Sequence, residues 1–160
     1  GEELSRVGPR TRAAIALLRE GHVQYALMTI RGFERFYSQC YPRWDARAYY
    51  GRMELLAVAP GQRIARMSCG QRSQVALGLI LAQNADLMIL DDFSMGLAPG
   101  YRRLFVEYLR DYARSRGPTV FLTSHIIQDL EKLTDDCIVM DYGRILVQIS
   151  AGALLRRVRR

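Results

Sequence analysis

The stretch "LMILDDFSMGLAPG", residues 87–100, indicates the fold more clearly than any other part of the chain. Its first four residues are apolar, two carboxylates follow at once, Asp91 and Asp92, and a turn with glycine and proline comes next. A short apolar run bounded by turn residues is typical of a strand buried on both faces of a parallel sheet. Because open α/β sheets bind ligands at the carboxyl ends of such strands, we expect these acids to hold a divalent cation and position a water molecule. A helix-capping turn is the structural alternative for the same pair.

The composition indicates one domain without a membrane-spanning segment. The chain has 160 residues, 49% of them hydrophobic, which suits a single ordinary core. The apolar run "VALGLILA" (75–82) is much shorter than the roughly 18 residues of a membrane helix, and the polar N-terminus shows no signal peptide. The cysteines Cys40, Cys69 and Cys137 lack metal-ligand spacing, which favours free thiols in a reducing compartment.

Arginine carries almost all of the positive charge. The net charge is +7, and Lys132 is the only lysine among 23 basic residues. A bias in codon composition explains such an excess, and so does a surface for nucleic acid or an anionic membrane. The terminal "LLRRVRR" (154–160) slightly favours the second explanation.

Hydrophobic periodicity divides the chain into a helical part and an alternating part. A strand is predicted at "RAAIALL" (12–18), and the period changes to a helical one at Thr29. Strands and helices alternate later, so the fold class is α/β with a helical insertion before the main run of strands. We expect four segments: the end of an N-terminal core at 1–28, a helical subdomain at 29–83, an α/β core at 84–150 and a basic helix at 151–160.

The segment "RMSCGQRSQ" (66–74) predicts the beginning of a helix. Ser68 and Gln71 fit a capping box, and Gly70 permits another backbone or a ligand to approach closely. A helix N-terminus attracts phosphate through its free N–H groups and its dipole. An ordinary capped helix would show the same pattern.

His125 follows the predicted strand "TVFLTS" (119–124) directly. Taken alone, a histidine in this place is more often an ordinary loop residue than a catalytic one. The capped helix, the paired acids, the glycine turn and the histidine nevertheless follow one another in the order and spacing of one known family.

The chain resembles the ATPase subunit of ATP-binding cassette (ABC) transporters over nearly all of residues 12–150. Five motifs carry the resemblance. The segment "MSCGQ" (67–71) resembles the signature LSGGQ, "LMILDD" (87–92) resembles the Walker B strand, and "SMGLAP" (94–99) resembles the D-loop. The segment "TSH" (123–125) resembles the switch-histidine loop, and "REGHVQYALMTIRGFERFY" (19–37) resembles the Q-loop. The segment "YPRWD" (41–45) is similar to small ABC ATPases that work with separate membrane subunits, often exporters.

The resemblance implies a partial P-loop-type nucleotide-binding domain with a helical subdomain inserted before the Walker B strand. It implies an ATP-binding and ATP-hydrolysing subunit of the exporter type, with ATP and Mg²⁺ as cofactors. The implied partners are a second nucleotide-binding protomer and a transmembrane permease subunit that docks on 29–83. This places the protein in the cytoplasm, on the inner face of the cell membrane, and no nucleic acid is expected as a partner.

The resemblance also implies a role for each matching residue. Asp91 would serve Mg²⁺, Asp92 the attacking water, and His125 the γ-phosphate and that same water. Glu20 would lie at the joint that senses Mg²⁺ and the membrane partner. The signature residues would contact the ATP held by the other protomer: Ser68, Cys69, Gly70 and Gln71.

Four positions depart from the family pattern. Cys69 replaces a glycine close to nucleotide, and Asp92 is one methylene shorter than the usual glutamate. Ala98 replaces the D-loop aspartate, and Glu20 replaces a neutral amide. These changes leave open a degenerate, non-catalytic cassette with a regulatory role. The arginine excess leaves open an ABC-type protein that acts on nucleic acid.

A phosphate-binding P-loop is absent from the sequence. Such a loop needs a glycine-rich turn and a lysine that reaches the β- and γ-phosphates, whereas Lys132 lies in "DLEKLTDD" (129–136). We therefore expect these residues to be part of a longer subunit and to be inactive alone, with a naturally short protein as the alternative.

Overall fold

In a computed structural model of the protein, residues 6–22, 25–94 and 97–158 are described. The chain forms two compact units, divided between Thr123 and Ser124. The first contains α1 (Pro9–Ala13), β1 (Ile15–Leu18), α2 (Ile30–Cys40), α3 (Ala46–Leu55), α4 (Cys69–Ala82), β2 (Leu87–Leu90), α5 (Pro99–Arg116) and β3 (Thr119–Leu122). The second contains α6 (Ile127–Leu133), β4 (Asp136–Asp141), β5 (Arg144–Ser150) and α7 (Ala151–Val158). In this described part of the chain, no helix has the length and apolar character needed to cross a membrane.

The first unit is built on a three-stranded parallel sheet in the order β1-β2-β3, which confirms the α/β fold class. The strands pair in register and end at one edge, with Leu18 beside Leu90 and Leu90 beside Leu122. The prediction that β2 is buried on both faces is correct for one face only. On the other face Leu17 and Phe121, in register across the sheet, are 55% and 58% exposed.

Helix α4 is the central helix of the first unit. Its side chains are buried from position 73 to the end of the helix, and it packs against α3, α5 and β1. Gly78 allows Tyr49 and Met53 of α3 to approach, since a Cβ there would lie 3.3 Å from each of them. The same core contains Ile30 and Phe33 of α2, three residues between α3 and α4, and three residues of α4 itself: Val58, Ile64, Met67, Val75, Leu79 and Ala82.

Side-chain caps determine where α2 and α3 begin. Thr29 Oγ1 accepts a hydrogen bond from Gly32 N at 3.0 Å. Asp45 Oδ1 accepts from the backbone N–H groups of α3 at 3.0 and 3.1 Å, so Asp45 is the N-cap of that helix. Helix α3 ends at Leu55, and Ala57 has a left-handed backbone with φ 51° that cannot continue it.

The strand predicted at 12–18 is wrong in its first half. Pro9 occupies the first helical position of α1, which runs to Ala13, because the fixed φ of proline suits that position. Only Ile15–Leu18 form a strand. The apolar pattern of this segment therefore predicts that β1 is buried, but it does not predict the residue at which β1 begins.

The loop between α2 and α3 is tied to the end of α4 and the beginning of β2. Asp45 N donates to Ala82 O at 2.7 Å, and the Arg43 guanidinium donates to Asp86 Oδ1 at 2.8 Å. The hydrogen bond from Arg43 lowers the pKa of Asp86 below its usual value. Arg116 at the end of α5 adds an ion pair to Asp45 at 3.1 Å. The helical segment is thus fixed against the sheet at its "YPRWD" loop.

The second unit is an antiparallel hairpin of β4 and β5, with α7 packed against the hairpin and α6 packed against α7. Tyr142 and Gly143 turn the hairpin with left-handed backbones, φ 43° and 74°. Cys137 and Ala151 are buried, and Ala151 N donates to Asp135 O at 2.9 Å where α7 begins.

Candidate functional site

The carboxyl edge of the parallel sheet brings residues from three strands together. Asp91 N donates to Leu18 O at 2.8 Å, and Thr123 N donates to Leu90 O at 2.9 Å. Each bond extends a strand ladder by one residue beyond the last strand residue. Asp91 is therefore held beside the end of β1, and Thr123 is held beside the end of β2.

A threonine that the sequence analysis did not assign connects the two acids. Thr123 Oγ1 donates to Asp91 Oδ1 at 2.8 Å and accepts from Asp92 N at 2.9 Å. Asp92 is half-buried and has a left-handed backbone with φ 38°. The ends of neighbouring parallel strands meet at one sheet edge, and this rule could have identified Thr123 from the sequence.

The loop that follows the acids is anchored in the core. Phe93 is fully buried and stacks on Phe105 of α5, with ring centroids 5.1 Å apart. Ser94 is also buried, and its Oγ has no hydrogen-bond partner among the residues that the structure describes. These contacts restrict the movement of the chain directly after Asp92, so the acids lie on a fixed support.

The donor set at this edge fits Mg²⁺ better than a metal with an all-protein site. In the described ranges, no group of three or more His, Cys, Asp and Glu side chains is placed to hold a metal ion. Asp91 is exposed and offers a single carboxylate. Mg²⁺ is commonly held by one or two carboxylates, with water and substrate phosphates as its other ligands.

The N-terminus of α4 has the predicted capping box. Ser68 Oγ accepts from Gln71 N at 3.2 Å, and Gln71 Oε1 accepts from Ser68 N at 3.0 Å. Ser68 and Cys69 are both exposed, so this helix end is open to a ligand or a second protein. The Ser68 hydroxyl hydrogen is not used by the cap and remains available for donation.

Gly70 is buried beneath a side chain of α5. A Cβ on Gly70 would overlap with the ring of Tyr101. Gln74 Nε2 donates to Tyr101 O at 3.1 Å and fixes this packing. The close approach that a glycine predicts here is therefore made by the aromatic ring, and no sequence signal identified Tyr101.

The remaining predicted site residues lie in turns. Glu20 is exposed in a 3-10 turn directly after β1, where Gly21 has φ 78°. His125 is exposed at the beginning of the second unit. Ala98 occupies the N-cap position of α5, and its side chain makes no capping hydrogen bond. Part of the "SMGLAP" motif, positions 95 and 96, lies outside the described residues.

The cap predicts a stability effect for Ser68→Ala. Loss of the side-chain cap should lower the free energy of unfolding by about 1 kcal/mol, measured by urea denaturation. Ser115→Ala is the matched control, because Ser115 is exposed within α5 and its hydroxyl donates to Tyr112 O of the same helix at 3.1 Å. Equal effects of the two substitutions would contradict a capping role for Ser68.

Comparison with known proteins gives relatives of one kind. No family model matches the chain. The chain is 33% identical over 106 residues to the Nod factor export ATP-binding protein I of Rhizobium sp. (strain N33), which is 66% of this chain and 34% of that protein. It is 34% identical over 79 residues to the energy-coupling factor transporter ATP-binding protein EcfA2 of Clostridioides difficile (strain 630), which is 49% of this chain and 27% of that protein. The chain thus spans about a third of the length of these curated relatives.

A solved structure shares the fold. It is an ATP-binding subunit of an ABC transporter, with a TM-score of 0.81 and 20% identity over 99% of this chain and 68% of that chain. The parallel sheet, the helical insertion and the similarity in sequence to two kinds of transporter ATP-binding protein agree with one another. The chain is homologous to part of the ATP-binding subunits of ABC transporters and shares their fold.

Proposed function

We propose that the chain is part of an ATP-hydrolysing subunit that powers transport, of the exporter type, through separate membrane subunits. The observation that supports this most is the carboxylate pair at the end of β2, bound to Thr123 at the common edge of the strands. Water attacks a phosphoryl group without covalent help from the protein, so catalysis depends on positioning and charge neutralisation. A fixed pair of acids at a ligand-binding edge is suited to both.

Each acid has its own role in this proposal. Asp91 is exposed and provides the carboxylate for Mg²⁺, which neutralises phosphate charge when bound. Asp92 is the residue that orients the attacking water and accepts its proton. His125 contacts the γ-phosphate and the same water, and Glu20, on the turn after the adjacent strand, responds to Mg²⁺ and the membrane partner.

The N-terminus of α4 acts on the ATP of a second protomer in this proposal. Four residues contribute to this contact: Ser68, Cys69, Gly70 and Gln71. The exposed Ser68 hydroxyl, the first N–H groups of the helix and the helix dipole all favour a phosphate. Because the cap already fixes Ser68, the contact needs no reorganisation of its side chain.

The proposed partners follow from the same arrangement. A permease subunit docks on the helical subdomain, 29–83, and 84–150 is the ATPase core. The segment 1–28 is the end of an N-terminal core, and 151–160 is a basic C-terminal helix. The relatives named for Nod factor export and for an energy-coupling factor transporter both support a role in membrane transport. We place the protein on the cytoplasmic face of the cell membrane.

Mixed dimers of the native protein that contains this chain test the contact between protomers. A Ser68→Ala protomer is paired with an Asp92→Asn protomer. If Ser68 acts on the partner's ATP, one of the two sites keeps both residues, and about half of the wild-type hydrolysis remains. If Ser68 acts on its own protomer's ATP, both sites are damaged and hydrolysis is lost.

The matched control places both substitutions in one protomer and pairs it with a wild-type protomer. If Ser68 acts on the partner's ATP, both sites of this control dimer are damaged and hydrolysis is lost. If Ser68 acts on its own protomer's ATP, one site stays intact and about half of the hydrolysis remains. Half-maximal activity in this control, with none in the first pair, would contradict the proposed role of Ser68.

A non-catalytic cassette with a regulatory role is the second candidate. It is favoured by Ala98, which provides no polar side chain at the beginning of α5. Cys69 adds a Cβ and a thiol at the exposed end of α4, and Asp92 has a shorter side chain than glutamate. Asp92→Asn separates the two candidates, since a non-catalytic cassette would keep its effect on a partner's ATPase activity.

A further inference from the structure

We infer that Thr123 is a positioning residue for the carboxylate pair, because its single hydroxyl group fixes the side chain of Asp91 and the backbone of Asp92 together. This inference rests on the proposed ATPase function. Thr123 acts through the two acids and needs no contact with ATP or water.

The hydroxyl group uses both its donor and an acceptor site. It donates to Asp91 Oδ1 at 2.8 Å, which fixes the rotation of that carboxylate. Asp91 is exposed, so its second carboxylate oxygen, Oδ2, can bind a cation. A hydrogen bond to an ionised acceptor is also stronger than a neutral one.

The acceptor site of the same hydroxyl fixes the backbone of Asp92. Asp92 N donates to Thr123 Oγ1 at 2.9 Å, and the residue has φ 38°. A left-handed backbone is unfavourable for a residue with a Cβ and persists only where its surroundings hold it. Loss of this bond removes one of the contacts that hold the backbone of Asp92, and with it the direction of the side chain.

Thr123 is itself fixed in position, so it can hold Asp91 and Asp92. Its N–H group donates to Leu90 O at 2.9 Å, so its backbone is part of the sheet edge. Its branched Cβ restricts the rotation of the hydroxyl-bearing bond. The side chain is nevertheless exposed, so removal of the hydroxyl group opens no cavity in the core.

The test uses Thr123→Val, which keeps the shape and loses the hydroxyl, and Thr123→Ser, which keeps the hydroxyl, in the native protein. Misplacement of a reacting group by about 1 Å costs up to roughly 10²-fold, so we expect Thr123→Val to lower kcat by about 10- to 100-fold with little change in the KM for ATP. The Mg²⁺ concentration for half-maximal activity should rise. Thr123→Ser should stay within about threefold of wild type.

Thr119→Val is the matched control. Thr119 is exposed at the opposite end of the same strand. If the replacement of an exposed threonine by valine were harmful in itself, Thr119→Val would lower kcat too. Wild-type kcat and Mg²⁺ dependence in Thr123→Val would overturn the inference. A Thr123→Ser variant as impaired as Thr123→Val would overturn it as well.

Two readouts do not depend on ATP hydrolysis. Amide hydrogen exchange of Asp92 should accelerate in Thr123→Val and stay slow in Thr123→Ser, and Mn²⁺ binding in the presence of ATP, followed by electron paramagnetic resonance, should weaken only in the former. If the wild-type protein hydrolyses no ATP, the proposed function fails, and these readouts still decide the role of Thr123. Unchanged exchange and Mn²⁺ binding in Thr123→Val would overturn it.

Discussion

Asp92→Asn is expected to reduce ATP hydrolysis by the native protein by about 10²- to 10⁴-fold, the usual contribution of a general base. Asparagine has nearly the same size as aspartate and keeps the backbone bond to Thr123, but it cannot accept a proton from water. Steady-state phosphate release in the presence of the membrane partner is the measurement. The affinity for ATP should change little, because Asp92 acts on water and not on the nucleotide.

Asp92→Glu is the companion variant. The shorter aspartate places the carboxylate about 1 Å further from the attacking water, which alone could cost about 10²-fold. The glutamate should therefore raise turnover above wild type without a change in ATP affinity. If Asp92→Asn hydrolyses ATP as fast as wild type, Asp92 has no part in the mechanism and the non-catalytic cassette is favoured.

Gly70→Ala is expected to lower the free energy of unfolding by about 3 kcal/mol, the upper range for overpacking a core. The added methyl group would overlap with the ring of Tyr101. Gln74 holds the backbone of Tyr101 at 3.1 Å, so the overlap is relieved only if the ring leaves its present rotamer or α5 shifts. Urea denaturation with unchanged slope would measure the loss of stability directly.

Two further variants separate this clash from a general effect of alanine. Gly51 lies within α3, where a Cβ meets no atom within 4 Å, so Gly51→Ala should stabilise the protein by about 0.5–1 kcal/mol. Gly70→Ala combined with Tyr101→Ala should be less destabilised than the sum of the two single variants. Additive losses would show that Tyr101 does not pack on Gly70.

The parts of the site that the sequence predicted depend on local chemistry. The Ser68 and Gln71 cap follows from their spacing, which only a helix start satisfies. Asp91 and Asp92 follow a short apolar run, so their position at a strand end was predictable too. In both cases the residues that matter lie within a few positions of one another.

The parts that sequence reasoning missed depend on contacts between distant segments. Thr123 meets Asp91 only because β2 and β3 pair in parallel register. Tyr101 covers Gly70 only because α5 packs on α4. The partial exposure of β2 also had no signal in its residues, because an apolar run has the same composition whether one face or both are covered.

Hydrolysis of ATP by the native protein, assembled with its membrane partner and followed over a Mg²⁺ titration, tests most directly whether the sheet edge is an ATPase site. The comparison is between wild type and Asp91→Asn, since Asp91 is exposed and accepts only the Thr123 hydroxyl in the described structure. We predict hydrolysis that depends on Mg²⁺ in wild type, and a loss of activity in the variant that added Mg²⁺ restores only in part. Equal hydrolysis by both proteins at every Mg²⁺ concentration would contradict the assignment of this edge as the metal site.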